Sequence, residues 1–434
     1  MKEISIQQTA HVAGDYDVIV CGGGPSGFIA AVTAAKKGVK VALIERYGFL
    51  GGMATAGYVL PISEFCNNAQ RVIGGIPWDF VKLLESMGGG QVEYPIGNVS
   101  FNPEIYKLAA QRMVLEAGVE LYLHSYFSGC VSDGKTITHI LISNKNGTEA
   151  LKGRFFIDCT GDADLAKYAG VPFQPVSPPG TMQPASLCFL LSDVDTEALG
   201  VTHHKKEKFC YSHPETKTFL NSLRAAGKEV PLFGGPWFCS TTIPGLVAVN
   251  MTRISANMAD NREQTKAECQ LREDAHRLVA LIKANIKPFE KCNLVVTAPQ
   301  AGIRETRRIS GAHILTVDEY LKAVKFDDSV SRATHPVDIH SAKDSNINLT
   351  YMDEAGYIPY RSLIVPEFPN YLAAGRCISV DFDVSASVRV QAPAMELGQA
   401  AGMAAALCSR NNVSVHDLDT KQLCSLLREL GSKI

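Results

Sequence analysis

The chain has 434 residues, which is more than one compact core of ordinary size holds, so two or three domains are expected. Hydrophobic residues make up 46% and charged residues 20%, a composition that argues against extensive disorder. The 42 basic and 44 acidic side chains leave a formal net charge of -2, which gives no reason to expect a nucleic acid or a membrane surface as partner.

The 12 cysteines are too sparse for a dense disulfide framework, and no two have the C-x-x-C spacing of a metal site or redox pair. We therefore expect buried, reduced thiols, no metal and a cytoplasmic location. The N-terminus lacks the pattern of a cleaved signal peptide. The apolar stretch from Val18 to Ala35 is long enough to suggest a membrane span, but several glycines interrupt it. The strand, glycine-rich loop and helix described next explain this stretch better, so we expect no transmembrane helix there.

The strongest local pattern lies near the N-terminus. Asp17 to Cys21 predicts a short buried strand, and the glycine-rich stretch 22–27 after it has the G-x-G-x-x-G pattern. Phe28 to Lys37 predicts a helix, Val39 to Ile44 predicts a second strand, and Glu45 closes that strand. This order is typical of a dinucleotide-binding unit.

Each residue type in this unit has a physical task. Gly22 permits the tight turn, Gly24 lets the backbone approach a pyrophosphate, and Gly27 lets the helix pack close to the strand. The helix N-terminus offers free N–H groups to the phosphates, and Glu45 can accept hydrogen bonds from ribose hydroxyls. The expected dinucleotide-binding residues are Gly22, Gly24, Pro25, Ser26, Gly27 and Glu45.

A second glycine-rich stretch, residues 46–55, favours FAD over NAD. An extended cofactor that continues past its pyrophosphate needs backbone close beside it, which Gly51 and Gly52 allow. The sequence here resembles the FAD-dependent oxidoreductases of the glutathione-reductase-like superfamily, in which such a loop runs beside the flavin. The resemblance implies FAD and contacts from Arg46, Gly51, Gly52, Met53 and Thr55. Covalent attachment through a histidine or cysteine is possible in the wider superfamily, but nothing in the local pattern demands it, so we expect noncovalent FAD.

The resemblance extends to three further stretches. Residues 156–164 resemble the strand-end motif that returns to the cofactor, residues 302–309 resemble a signature of one group of FAD-dependent oxidoreductases, and residues 371–377 resemble the late loop that closes over FAD. Residues 193–288 carry no recognised motif. The further FAD contacts implied are Thr160, Gly161, Asp162, Gly375 and Arg376, the last standing where many relatives have aspartate.

A helix is predicted to begin at Ala392, and its small residues suit tight packing against a sheet or cofactor. In the similar enzymes this helix points its N-terminus at the flavin, where its dipole stabilises the charge of the reduced ring. A plain packing helix is the alternative.

The predicted fold class is α/β, with a discontinuous Rossmann-like FAD-binding domain and an inserted α+β substrate domain. The FAD-binding domain covers residues 1–185 and 355–434, and the substrate domain covers residues 186–354. Three strands, expected to form a small β-meander inside the first part, are Leu121 to His124, Phe127 to Ser132 and Thr136 to Ser143.

Catalytic candidates lie in three stretches between the expected domains. If residues 304–308 form a strand, Arg304 and Arg307 face opposite ways, and an arginine at the flavin could hold a substrate carboxylate or stabilise an enolate-like charge. An interdomain salt-bridge cluster is the equal alternative. His335 or His340 could carry a proton, with the structural histidine as the alternative, and Tyr360 could line the pocket or pack across the hinge.

The expected function is an FAD-dependent oxidoreductase that transfers a hydride between the flavin and a small organic substrate. The alternative is a flavoprotein subunit that passes electrons to a partner protein or acts in RNA modification. The sequence leaves the substrate, the electron acceptor and the oligomeric state open, a homo-oligomer being one of the alternatives.

Overall fold

The structure is a computed structural model that describes residues 4, 7, 9–177, 181–201 and 210–434, without the side chains of residues 210 and 211. Its strands are β1 His11–Cys21, β2 Val41–Ile44, β3 Cys66–Asn67, β4 Gln70–Arg71, β5 Gly90–Glu93, β6 Asn98–Phe101, β7 Glu120–Tyr122, β8 Tyr126–Asp133, β9 Thr136–Asn144, β10 Gly147–Asp158, β11 Phe173–Gln174, β12 Phe189–Ser192, β13 Cys210–Ser212, β14 Phe233–Ser240, β15 Val247–Thr252, β16 Asn293–Thr297, β17 Arg308–Ile309, β18 Ser329–Ala333, β19 Val337–His340, β20 Ile347–Thr350, β21 Gly356–Pro359 and β22 Tyr371–Ala373.

Its α-helices are α1 Pro25–Ala35, α2 Ile76–Ser86, α3 Pro103–Glu116, α4 Asp164–Ala169, α5 Thr196–Leu199, α6 Pro214–Ala225, α7 Asn261–Asn285, α8 Val317–Leu321, α9 Phe382–Val388, α10 Gln391–Asn411 and α11 Thr420–Leu430. Short 3-10 turns cover Gly52–Ala54, Lys287–Phe289 and Tyr360–Ser362. Within the part of the chain that the structure describes, every helix is too short or too polar to cross a bilayer.

The main sheet has the strand order β7-β2-β1-β10-β9-β8, with β22 beside the C-terminal half of β10. Strands β7, β2, β1, β10 and β22 run parallel, so their carboxyl ends meet at one edge of the sheet. The strand–helix–strand unit β1-α1-β2 lies at the centre of this arrangement. The α/β, Rossmann-like prediction is therefore confirmed.

Strand β7 differs from the sequence-based expectation. Residues 121–124 were expected in the meander, but Glu120–Tyr122 pair in parallel with β2 at the sheet edge. The meander is instead β8-β9-β10, because the long strand β10 pairs with different strands along its two halves. Its first half pairs antiparallel with β9, and its second half runs parallel between β1 and β22.

Helices α1 and α10 pack against each other at backbone distance beside the sheet. A methyl group on Gly398 would lie 2.1 Å from the carbonyl oxygen of Ser26, and one on Gly402 would lie 2.2 Å from that of Ala30. Both helices are almost entirely buried. The small residues of α10 therefore serve close helix–helix contact, which places the start of α10 beside the start of α1.

A second hydrophobic core lies in the middle of the chain. The antiparallel sheet β13-β14-β15-β12-β16 packs against α7, which begins after the capping side chain of Asp260. Phe189, Phe233, Phe238 and Phe289 are part of this core. All of these elements fall inside the expected substrate domain, whose bounds at residues 186 and 354 stay a prediction.

Candidate functional site

A cleft opens at the carboxyl edge of the parallel sheet, between the loops that follow β1, β2, β10 and β22, and it measures about 1000 Å³ with its solvent-open mouth included. We call it the edge cleft. Of the residues expected to bind a dinucleotide, those that line it are Gly22, Gly24, Pro25, Ser26, Glu45, Arg46, Gly52, Met53, Thr160, Gly161, Asp162, Gly375 and Arg376. Five separated stretches of sequence therefore meet around one space.

Three expected contacts lie behind the wall of the edge cleft. A methyl group on Gly27 would lie 1.8 Å from the carbonyl oxygen of Gly22, so this glycine holds α1 against the loop. Gly51 has a left-handed backbone (φ 113°), and the Thr55 hydroxyl donates to the Leu50 carbonyl at 2.7 Å. Gly27, Gly51 and Thr55 thus shape the wall and do not line the cleft.

The N-terminus of α1 faces the edge cleft without a capping side chain. Gly24 is the residue before the helix, and Pro25 opens its first turn. A methyl group on Gly24 would approach no atom nearer than the Gly52 Cα at 3.8 Å, so this position opens onto the cleft. Free N–H groups and the helix dipole make such an end a favourable place for a phosphate.

Glu45 holds the glycine loop from the end of β2. Its carboxylate accepts hydrogen bonds from the Gly23 N–H at 2.8 Å and the Tyr47 N–H at 2.9 Å. Burial raises the pKa of Glu45, against the lowering effect of these two hydrogen bonds. The carboxylate lines the cleft, so its remaining lone pairs are available to hydroxyl donors.

Asp162 and Arg376 close the other side of the edge cleft. The Arg376 guanidinium pairs with Asp162 at 2.6 Å and donates to the carbonyl oxygens of Gly161 and Ile303 at 2.9 and 2.7 Å. Burial alone would raise the pKa of Asp162, but Arg376 and the Thr306 hydroxyl outweigh it and lower that pKa. Arg376 thus ties the loop after β10 to residues 302–309.

A second cavity, which we call the inner cavity, adjoins the edge cleft and measures about 1370 Å³ with its solvent-open part included. Met53, Arg376, Arg389 and Gln391 line both spaces, so the two meet at these four side chains. Other walls of the inner cavity come from the segment between β2 and α3, from the antiparallel sheet and from residues 302–304 and 335–340.

Helix α10 begins at this junction. Gln391 is its first residue, and no side chain caps its N-terminus. The Gln391 amide nitrogen donates to the Val59 carbonyl at 2.7 Å, while its buried amide oxygen has no hydrogen-bond partner among the described residues. The start of α10 and this buried, unpaired acceptor therefore lie beside the place where the two spaces join.

The arginines of residues 304–308 separate into different roles. Only Arg308 and Ile309 form a strand, so the expected alternation of faces does not extend over the stretch. Arg307 pairs with Asp164 at 2.6 Å, and Arg308 approaches Glu305 at 3.5 Å. Arg304 instead lines the inner cavity and forms no ion pair within the described part of the chain.

His340 lies in a network that fixes its protonation. The Arg253 guanidinium donates to its Nδ1 at 2.8 Å, so the proton must sit on Nε2, which donates to Asp338 at 2.8 Å. Burial and the nearby Arg304 charge lower the pKa of His340 to about 3. Both nitrogens are engaged, which favours the structural interpretation of this histidine.

His335 has a different environment in the same cavity. Its Nδ1 lies 2.9 Å from the Pro336 carbonyl oxygen, which can only accept, so Nδ1 carries the proton. Burial lowers the pKa of His335, which keeps the ring neutral near pH 7. Among the described residues Nε2 has no hydrogen-bond partner, so an unprotonated nitrogen is available beside the inner cavity.

Tyr360 lies away from both spaces. It is 2% exposed, and its hydroxyl donates to the Val415 carbonyl at 2.9 Å. It lines neither the edge cleft nor the inner cavity. The structure therefore shows a buried packing residue, which favours the packing alternative over a role in lining the pocket.

Glu64 is a titratable residue of the inner cavity that the sequence analysis missed. It follows the apolar run 59–62 and lines the cavity, and burial together with the Glu93 charge raises its pKa to about 7. Ser63, beside it, accepts a hydrogen bond from the Ala392 N–H at the start of α10. A lone carboxylate among apolar residues was the one signal available in the sequence.

A family model described as FAD dependent oxidoreductase matches residues 17–427 of the chain. A digeranylgeranylglycerophospholipid reductase of Methanocella arvoryzae is 26% identical over 170 residues, which cover 36% of this chain and 42% of that relative. A dihydrolipoyl dehydrogenase of Trypanosoma brucei brucei is 57% identical over 37 residues, 8% of each chain. The matched stretches therefore span less than half of these relatives.

Among solved structures, a flavin-dependent brominase superposes with a TM-score of 0.52 at 15% identity. The superposition covers 96% of this chain and 83% of the brominase. At this identity the likeness shows the fold alone, which agrees with the parallel sheet described above.

The residues of the edge cleft fit FAD. The start of α1 is uncapped, Gly24 leaves its side of the cleft free of any Cβ, and Glu45 ends the neighbouring strand. The buried, unpaired Gln391 oxygen and the start of α10 lie where the cleft continues into the inner cavity. FAD is an extended dinucleotide, and its flavin ring carries N–H and C=O groups at one end. These groups and its phosphates match the acceptors and donors that line the two ends of the cleft.

Proposed function

The chain belongs to the FAD-dependent oxidoreductase family, and we propose that it transfers a hydride between FAD and a small organic substrate held in the inner cavity. The observation that carries this proposal is the junction at Met53, Arg376, Arg389 and Gln391, where a cleft suited to a dinucleotide opens into a second space. A cofactor in one space and a substrate in the other come together only there.

In this proposal the edge cleft holds FAD through two kinds of contact. The loop 22–27 and the start of α1 bind the phosphates, and Glu45 binds a ribose. Arg46, the Thr160–Asp162 loop and residues 375–376 close over the cofactor. When bound, FAD accepts or donates the hydride, and the protein supplies orientation and proton transfer. Noncovalent attachment stays a prediction.

His335 is the proposed proton carrier. Its unprotonated Nε2 has no hydrogen-bond partner among the described residues, and His335 lines the inner cavity. Its lowered pKa keeps it able to accept a proton from a substrate hydroxyl or amine as the neighbouring C–H bond is broken. In the reverse direction the protonated ring returns this proton. The Ser387 hydroxyl donates to the His335 carbonyl and thereby positions its backbone.

The network of Arg253, His340 and Asp338 positions the opposite part of the cavity. The Arg389 guanidinium donates to the Asp338 carbonyl at 2.9 Å and lies 3.6 Å from its carboxylate. Asp338 therefore connects the β19 segment to Arg389, which lies between α9 and α10. We expect this network to hold the cavity walls and to carry no proton itself.

The test begins with the purified protein reconstituted with FAD. After anaerobic photoreduction, a panel of small oxidants and carrier proteins is added, and the return of oxidised flavin absorbance is followed. Conversely, the oxidised protein is mixed anaerobically with small alcohols, amines and acids. Flavin turnover with a small molecule supports the proposal, whereas exchange with a protein partner alone would support the electron-transfer alternative.

A further inference from the structure

We propose that the substrate is an organic carboxylate with an apolar body, and that Arg304 binds its carboxylate group. This inference rests on the proposed function, because it assigns a substrate class to the inner cavity. It goes further in that it names a charge and the side chain that recognises it.

The first observation is an excess of positive charge around one carboxylate. Arg253, Arg304 and Arg389 surround Asp338, yet only Arg389 comes within ion-pair distance of it, at 3.6 Å. Burial and mutual repulsion lower the pKa of Arg253 to about 9, and burial also lowers that of Arg304. A buried guanidinium without its own carboxylate is costly, and an anionic ligand would supply the missing partner.

The second observation is the unused donor capacity of Arg304. A guanidinium has five N–H donors. Arg304 directs three hydrogen bonds to the Pro184 carbonyl at 2.6 Å, the Ser186 hydroxyl at 2.8 Å and the Asn250 amide oxygen at 3.4 Å. All three acceptors are neutral, so among the described residues they hold the side chain in place and leave both its charge and two donors for a ligand.

The remaining walls select the rest of the substrate. Leu60, Cys188, Trp237, Ile303 and Leu349 line the inner cavity and present apolar surface. Among the residues that the structure describes, the lining contains no lysine. A planar carboxylate matches the fork of a single guanidinium, and Arg304 is the lining arginine left without a carboxylate, since Arg376 pairs with Asp162 and Arg389 with Asp338. A phosphate group carries more negative charge than this one guanidinium balances. The cavity therefore suits a hydrophobic acid better than a phosphorylated metabolite.

The experiment measures binding to the FAD-loaded protein by calorimetry, which needs no turnover. Benzoate is compared with benzamide, which has the same shape without the charge, and with inorganic phosphate. The measurement is made at about pH 6, where Glu64 is mostly protonated. We expect benzoate to bind about 10-fold or more tightly than benzamide.

Two variants localise the effect to Arg304. Arg304→Gln should remove the preference for benzoate. Asn250→Asp places a carboxylate 3.4 Å from the guanidinium with almost no change in shape, and it should weaken benzoate binding while Arg304 remains present. The control is Arg361→Gln, which removes a guanidinium that pairs with Asp328 away from both cavities and should change nothing.

Equal binding of benzoate and benzamide would overturn the carboxylate assignment, as would a preference for phosphate or an unchanged preference in Asn250→Asp. None of these results touches the hydride-transfer proposal, which the anaerobic flavin assay tests separately. If benzoate binds as expected but no small molecule exchanges electrons with the flavin, the proposed function fails and the anion site stands.

Discussion

The edge cleft and the inner cavity are built in different ways. The phosphate side of the cleft depends on backbone, since Gly22, Gly24, Gly52 and the start of α1 form its wall, with Gly27 and Gly51 shaping it from behind. The inner cavity depends on side chains brought from distant segments, among them Glu64, Arg304 and His335. A cofactor that is bound through backbone groups requires glycines and other fixed residue types at fixed spacing in the sequence. A substrate that is bound through side chains from distant segments does not require such a pattern.

The largest effect should come from a side chain that fills the edge cleft beside the glycine-rich loop. Gly24→Val adds a side chain where the protein itself has room, since the nearest atom to a new Cβ is 3.8 Å away, but that room is the cleft. We expect a folded protein that retains no FAD after reconstitution, measured by flavin absorbance and circular dichroism. A yellow Gly24→Val protein would contradict the phosphate-binding role of this loop.

The next largest effect should come from a change in the inner cavity. His335→Gln should leave FAD bound and slow flavin reduction by substrate about 100-fold or more, because the proton acceptor is lost. The matched control is His139→Gln, which changes a half-buried histidine of the meander that lines neither space. Equal rates in the two variants would return His335 to a structural role.

A smaller effect follows from Glu64. Its pKa is raised to about 7 by burial and by Glu93, so its carboxylate forms as the pH rises through that value and adds negative charge to the cavity. Benzoate affinity should fall several-fold between about pH 6 and about pH 8, although the buried arginines stay charged. Calorimetry across this range checks the sign.

The other charged or titratable residues in the described lining of the same cavity are Cys188, Arg304, His335, Asp338, His340, Tyr351, Arg376 and Arg389. The variant Glu64→Gln should have a pH-independent affinity in this range. A slope that persists in Glu64→Gln would assign the titration to one of these other groups.

The smallest effect on activity is expected at Tyr360. Tyr360→Phe removes a buried hydroxyl that donates to the Val415 carbonyl, at a cost of about 1 kcal/mol in the free energy of unfolding. The rate of flavin reduction should not change, because the residue lines neither space. Denaturant unfolding and stopped-flow flavin absorbance measure the two quantities, and a slowed flavin step would restore the catalytic role.

The sequence predicted the residues of the edge cleft well. The strand–loop–helix–strand order at residues 17–45 and the later stretches at 160–162 and 375–376 all meet at the edge cleft. It also predicted a helix near Ala392 with tight packing, although the partner surface is α1. Local spacing was sufficient because each of these features is set by residues close together in the chain.

The tertiary structure alone decided the rest. It separated Arg304 from Arg307 and Arg308, engaged both nitrogens of His340, left Nε2 of His335 open and brought Glu64 to the same cavity. Which charges are balanced and which hydrogen-bond donors stay free depends on residues that are far away in sequence. Residue type and local spacing therefore do not predict either property. The sequence by itself therefore determined the cofactor class, and folding determined which side chains are available to a substrate.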